Sequence, residues 1–341
     1  MRQKITIHDI ARELNVTVST VSRALNDHPA ISEGTRSAVK DMAKRLNYRQ
    51  NKLASSLRSG KSFIIGVIIP SAEISFFGSV VHGIEKVANA HGYNVLLFQS
   101  NELPEFEERG IEAFIRSRVD GIIASIAKET TDFDHYREIR KNNIPLIFFD
   151  RANPELGAPG VTIDDYRGAY IATEHLIEQG YRRIAHISGQ QHIRIFNERL
   201  RGYVDALRKH SIPLEDDLIV YGKVSIESGR ACMKHLLGLK NRPDAVFAVE
   251  DYTALGAMQM AKENNIRIPE EMGFIGFANE SFSQFITPGL SSIDQQNIRM
   301  GEDAARLFMQ LIANRNEDEP QPENIILNPV LVVRESSQRK T

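Results

Sequence analysis

Apolar positions in the first fifty residues recur at helical spacing. Ile7, Ile10, Ala11 and Leu14 fall at i, i+3, i+4 and i+7, which predicts a short helix with one apolar stripe. Thr6, three residues before Asp9, supplies a capping-box start. After a tight turn at Asn15-Val16, Thr17 caps a second helix in which Val21 and Leu25 face inward. Val18, Ser19, Ser22 and Arg23 are left on its outer face. Ser32 opens a third helix, where Val39, Met42, Ala43 and Leu46 repeat the spacing, so three helices can close one small core. The pattern is that of a helix-turn-helix. Its second helix fits the DNA major groove, where arginine can donate two hydrogen bonds to guanine and small side chains permit close approach. A plain helical hairpin with a solvated face would account for the first two helices alone.

Beyond Ser62 the period changes. Phe63–Ile69 is a continuous apolar run, as in a strand buried on both faces. A helix carrying Val80, Ile84, Val87 and Ala88 follows, then strand Asn94–Phe98, helix 105–118, strand Gly121–Ala124, helix 132–142 and strand Pro145–Phe149. After a Pro/Gly-rich loop, Asn153–Gly160, the alternation restarts with strands at Arg183–Ile187, Leu218–Tyr221, Ala245–Val249 and Gly273–Phe277. Two consecutive βα series of similar length predict two doubly wound parallel sheets facing each other.

Composition agrees. A chain of 341 residues, 42% hydrophobic, has material for two or three domains. Residues 1–61 hold 12 Lys and Arg against 5 Asp and Glu, a balance of +7. The whole chain sums to −2, so the remainder carries −9. A basic head on an acidic body suits phosphate neutralisation. The single cysteine, Cys232, forms no internal disulfide and reads as a buried neutral thiol. No apolar run approaches membrane-spanning length and no apolar signal core opens the chain, so a cytoplasmic protein without membrane partners is expected. Nucleophile-elbow, dinucleotide-binding and Cys/His metal spacings are missing, so neither an enzyme, a cofactor nor a metal is expected. Ser59-Gly60-Lys61-Ser62 imitates the tail of a phosphate-binding loop, but Ser55 stands where glycine is needed and a strand follows where a helix is required.

The opening Thr6–Leu25, the connector Tyr48-Arg49-Gln50-Asn51 and the segment Lys52-Leu53-Ala54-Ser55-Ser56-Leu57-Arg58 resemble the lactose/galactose-repressor family of bacterial transcription regulators, over essentially the whole chain. The resemblance implies a helix-turn-helix headpiece (1–50), a hinge helix (51–61) and a periplasmic-binding-protein-like core (62–341). Three crossings between lobes would assign 62–164 and 295–322 to the first lobe, and 165–294 and 323–341 to the second. It further implies that Leu57 is a wedge in the central minor groove, with Leu53, Ala54 and Arg58 beside it. Unstacking a base step costs roughly a few kcal/mol, repaid by bending DNA onto more protein. On the second helix, Val18, Ser19 and Arg23 would read bases, while Thr17, Thr20, Ser22 and Asn26 would position phosphates.

In open α/β sheets ligands bind beyond the carboxyl ends of strands. The residues there are Ser75, Phe76 and Phe77 after the first strand; Asp150 and Arg151; Glu250 and Asp251; and Asn279 and Glu280 after Phe277. Asn197 and Arg199 begin the helix after Ile187, and Gln295 sits at a late crossover. Such groups suit a polyhydroxylated ligand, with the aromatics stacking on a ring. The competing reading makes Asp150 and Asp251 helix caps and Phe76 and Phe77 core. One departure stands out: where the family carries an aspartate that often holds ligand hydroxyls, this chain has Ala278. The reading is a homodimeric repressor on a near-palindromic operator, modulated by a carbohydrate-derived small molecule. Its rivals are a regulator controlled by a protein partner, with a vestigial cleft, and a binding protein without DNA function.

Overall fold

The computed structural model describes residues 5–48, 61–313 and 323–339. The chain divides into two units, one on each side of the Ser62–Phe63 bond. In the first, α1 (Ile7–Glu13), α2 (Val18–Leu25) and α3 (Glu33–Arg45) enclose Ile10, Ala11, Val21, Ala24, Val39 and Ala43. Their starts are capped as the sequence predicts. Asp9 accepts from the Thr6 N–H and hydroxyl, both at 2.8 Å. Thr17 Oγ1 accepts from the Thr20 N–H at 3.1 Å, and Ser32 Oγ from the Thr35 N–H at 3.4 Å. Asn15 makes the turn with φ +52°, a left-handed conformation that asparagine tolerates. One detail differs from expectation. Ala24, one step back along the same helical face, takes the inner position, and Leu25 is only partly buried.

The second unit is two α/β lobes. The first contains β1 (Ile64–Ile69), α4 (Ser75–Ala90), β2 (Asn94–Gln99), α5 (Pro104–Arg116), β3 (Gly121–Ala124), α6 (Asp134–Lys141), β4 (Leu146–Phe149) and β5 (Gly160–Ile163). The chain then builds α7 (Asp165–Glu178), β6 (Ile184–Ser188), α8 (Arg194–Lys209), β7 (Ile219–Tyr221), α9 (Ile226–Leu237), β8 (Ala245–Ala248), α10 (Asp251–Glu263), β9 (Gly273–Ala278) and β10 (Ser291–Asp294). Last come α11 (Asn297–Ala313), β11 (Ile325–Leu327) and β12 (Val330–Val332).

The first sheet runs β11-β5-β4-β3-β1-β2, all parallel. The second runs β12-β10-β9-β8-β6-β7, parallel except for β12. Residues 323–341 were expected on the second lobe, but they are shared. Ile325–Leu327 pairs with β5 in the first sheet, and the last crossing falls between β11 and β12. The strands β5, β10, β11 and β12 were not foreseen. They are three or four residues long, and Ser291-Ser292-Ile293-Asp294 holds one apolar residue, too little for an alternation to register.

Three helix pairs close these lobes: α4 on α11, α7 on α8, and α9 on α10. Each crosses backbone against backbone at glycine. A Cβ on Gly301 would collide with the Val80 carbonyl, one on Gly83 with the Ile298 carbonyl, and one on Gly256 with the Ile226 carbonyl. Gly301→Ala should therefore cost about 1–3 kcal/mol through overpacking, read as a melting temperature several degrees lower by calorimetry. An unchanged melting point would mean that the pair can slide apart freely.

Candidate functional site

On the headpiece, Ser19 and Arg23 are exposed along α2. Thr17 Oγ1 is occupied as the cap, and it also meets the hydroxyls of Ser19 and Thr20 at 3.1 and 2.9 Å. The Asn26 amide donates to the Ser22 carbonyl at 2.8 Å. Val18, expected on the outer face as a base contact, is partly buried and packs against the headpiece core. Other basic side chains are engaged by carboxylates: Arg12 with Asp9 (3.6 Å), Arg36 with Glu33 (2.6 Å), Lys40 with Asp27 (2.5 Å) and Arg45 with Glu13 (3.8 Å). Arg23 has no such partner among the described residues. Leu53, Ala54, Leu57 and Arg58 lie outside the described residues.

In the core, loops at the carboxyl ends of the two sheets come together where the lobes meet. On the first lobe, Asp150 follows β4 with φ +57° and is 7% exposed. Its Oδ2 accepts from Ser125 Oγ at 3.3 Å and from Arg151 Nε at 3.4 Å. Arg151 donates a fork to Glu102, at 2.7 and 3.0 Å, and lies 5.8 Å from the Phe77 ring centre. Lys128 approaches Glu102 at 3.3 Å. These cations hold Glu102 down at about 2, against the burial that would raise it. Phe76 and Phe77 are 4% and 2% exposed; their rings meet edge-on at 5.0 Å, within the apolar cluster that includes Phe149. The expected stacking platform has no open ring face in this arrangement.

On the second lobe, Arg199 is buried under Phe277, whose ring centre lies 3.6 Å away. Its guanidinium donates to Asp165 at 2.8 Å and to the Val249 carbonyl at 2.7 Å. Burial raises Asp165 to about 6 against the pull of that cation. Asp251 is wholly buried and accepts from the Glu280 N–H (2.7 Å), Ser283 Oγ (2.9 Å) and Ser292 Oγ (2.6 Å). It anchors the loop after β9 and caps no helix; that part of the competing reading falls to its neighbour. Glu250 caps α10 through the Tyr252 N–H at 2.7 Å, and burial raises it to about 8. Asn279, at φ +50°, is tied to Ser292, Asp294 and Arg334. Asn197 is exposed on the first turn of α8. Gln295 is 4% exposed, with its side-chain carbonyl unpartnered among the described residues.

Several contacts cross between the lobes. Glu280 accepts from Ser75 Oγ and, at 3.2 Å, from the Phe76 N–H. Gln190 donates to Glu129 at 3.4 Å, and a His192 ring nitrogen lies 3.1 Å from the Lys128 carbonyl. Sequence reasoning missed Glu102, Ser125, Lys128 and Asp165. The first three follow β2 and β3 and were open to the strand-end rule; Asp165 follows β5, a strand that was itself missed.

Glu250 sets a pH dependence. Its ordinary value is 4.5, so between there and about pH 8 the folded core keeps a proton that the unfolded chain has released. Stability from this group therefore falls as pH rises through that range. Glu102 has the opposite sign, and its contribution is lost only as pH falls from 4.5 toward 2. The ligand-free protein should thus melt lower at about pH 8.5 than at about pH 7, and Glu250→Gln should narrow the gap in paired melting curves. A gap of the same size in the variant would remove Glu250 as its source.

Similarity to known proteins agrees with this geometry. Residues 6–51 match the family described as bacterial regulatory proteins, lacI family, and residues 62–333 match periplasmic binding proteins and sugar binding domain of LacI family. The chain is 34% identical to the HTH-type transcriptional repressor CytR of Escherichia coli K12, covering 89% of each chain. It is 29% identical to the HTH-type transcriptional repressor PurR of Mannheimia succiniciproducens, covering 98% of this chain and 99% of that one. Among solved structures, a transcriptional regulator CelR–cellobiose complex superposes with a TM-score of 0.73 at 28% identity, over 97% of this chain and 99% of the other. No helix among the described residues is long and apolar enough to cross a membrane. With its helix-turn-helix headpiece and two-lobed core, the chain belongs to the LacI family of bacterial regulatory proteins and is a DNA-binding transcription regulator.

Proposed function

We propose that this regulator is a cytoplasmic, homodimeric repressor whose two headpieces read the halves of a near-palindromic operator. A small carbohydrate-derived effector, held between the lobes, modulates that binding. The observation that supports the DNA role is the exposed Arg23 beside Ser19 on α2, which has no carboxylate partner among the described residues, where Arg12, Arg36 and Arg45 each have one. Arg23 and Ser19 read base edges, while Thr17, Thr20, Ser22 and Asn26 approach phosphates. Leu57, with Leu53, Ala54 and Arg58, acts in the central minor groove as the family resemblance implies. Two-fold protein symmetry suits a two-fold site.

The effector reading is supported by the convergence of Asp150, Arg151, Arg199, Glu250 and Gln295 at the sheet ends, and by the relative solved with cellobiose. Asp150 and Arg199 are fixed by neighbours before any ligand arrives, so little ordering cost falls on binding. The cleft acts by binding rather than by chemistry. An effector that favours one lobe arrangement shifts how the dimer sets its hinge segments, and a coupling of about 1–3 kcal/mol suffices to change operator occupancy. Control by a protein partner is the second reading. It draws on Ala278, which puts a methyl group where a ligand-holding carboxylate would be expected.

Selection of binding sites from randomised DNA should show Arg23→Ala losing preference at one base position in each half-site, worth about 1–3 kcal/mol of discrimination. An identical selected motif would refute the role. Melting of the full chain against sugars, sugar phosphates, sugar acids and nucleobases tests the effector. A ligand at 100 times its Kd adds about 2.7 kcal/mol of stability. A sugar hit upholds the reading, and a panel without any shift favours the protein partner.

A further inference from the structure

Helix α4 begins without a cap of its own. Its N-cap residue is Ile74, which offers no side-chain acceptor to the first turn. Three helices are capped from within their own loops: α7 by Asp164 on the Arg167 N–H at 2.8 Å, α9 by Ser225 on the Ser228 N–H at 3.2 Å, and α10 by Glu250 on the Tyr252 N–H at 2.7 Å, whereas α8, with Ile193 at its N-cap, has no side-chain cap, like α4. The acceptor missing from α4 arrives from the opposite lobe. Glu280 places one carboxylate oxygen on the Phe76 N–H at 3.2 Å and the other on Ser75 Oγ. It follows β9 of the second lobe, is 2% exposed, and has its own N–H fixed by Asp251 at 2.7 Å. Asp251 is in turn held by Ser283 and Ser292, so the carboxylate stands on a rigid mount. Ser281 adds to the contact, its N–H and hydroxyl each 3.5 Å from Ser75 Oγ.

We propose that Glu280 is an inter-lobe latch, capping α4 in trans and biasing the lobes toward the arrangement in which they meet. A carboxylate at a helix N-terminus satisfies orphan N–H groups and interacts favourably with the helix dipole. Here that gain exists only while the lobes are together, so it is a difference between open and closed states and biases the equilibrium between them. A molecule entering between Ser75 and Glu280 has to supply what the carboxylate supplies, or open the cleft. The latch follows from the contacts themselves and holds whether a small molecule or a protein partner controls this regulator.

Hydrogen exchange on the ligand-free full-length protein, read by mass spectrometry on peptides that isolate the Phe76 amide, tests this directly. The wild-type amide should be protected, and Glu280→Ala should speed its exchange about tenfold, the scale of a lost cap. Small-angle scattering should show a larger radius of gyration for the variant. Glu280→Gln, which keeps an acceptor, should fall between the two. If Glu280→Ala fails to fold, Ser75→Ala decides, since it removes one donor at the half-buried end of the bridge and leaves the Asp251 cluster intact. It should also speed exchange at Phe76. An unprotected Phe76 amide in the wild type, or exchange unchanged in the folded variants, overturns the latch.

Discussion

The second lobe and the cleft both depend on one buried carboxylate. Asp251 takes three hydrogen bonds, from the Glu280 N–H and the Ser283 and Ser292 hydroxyls, and in doing so ties the start of α10, the loop after β9 and strand β10 into one body. Burial raises it to about 7, because the donors repay only part of its lost hydration. Glycine at 276 is what lets it in, since a Cβ there would collide with its Oδ1. Removing Asp251 would leave three donors unsatisfied in a dry interior, each costing about 1–3 kcal/mol. The same anchor aims Glu280 at α4, so local satisfaction of a charge and alignment of the two lobes share one physical cause.

Charge compensation shapes the rest of the cleft. Arg151 and Arg199 are both buried, and the protein already engages much of each guanidinium: Glu102 and Asp150 in one lobe, Asp165 and the Val249 carbonyl in the other. Arginine suits this work because its planar fork keeps its charge when buried and holds two acceptors at fixed angles. Such pairs contribute little net stability, since desolvation offsets much of their attraction. What they supply is placement. Asp150 is held at a left-handed φ of +57° beside Arg151, and strain of this kind persists where surrounding contacts over-determine a residue.

A regulator needs two sites that respond to one another, and here each half supplies what the other lacks. The headpiece has a three-helix core too small to hold a ligand cleft, but it offers an exposed arginine on a short rigid helix. The core has buried polar machinery between two lobes that meet through hydrogen bonds such as those of Glu280 to Ser75 and Phe76. Apolar residues of both lobes also share one buried cluster, so the directional contacts at Glu280 act on bodies that already pack together.

Much was legible beforehand. The i, i+3, i+4, i+7 stripes and the caps at Thr6, Thr17 and Ser32 determined the headpiece, because helix starts and amphipathic faces are local properties. The apolar runs at 63–69, 121–124 and 145–149 determined the parallel sheets, since strands buried on both faces must be apolar throughout. The strand-end rule then reached Asp150, Arg199 and Glu250. Local reasoning could not decide which of several carboxylates would face ligand, cap a helix or hold another loop. Asp251 and Glu250 are adjacent in sequence, yet one anchors Ser283 and Ser292 while the other stands at a helix start. Nor could it assign Glu280 to α4, about two hundred residues away in the chain, or divide β11 from β12 between lobes. Those outcomes depend on which donors the folded chain brings within three ångströms, and only the tertiary structure sets that.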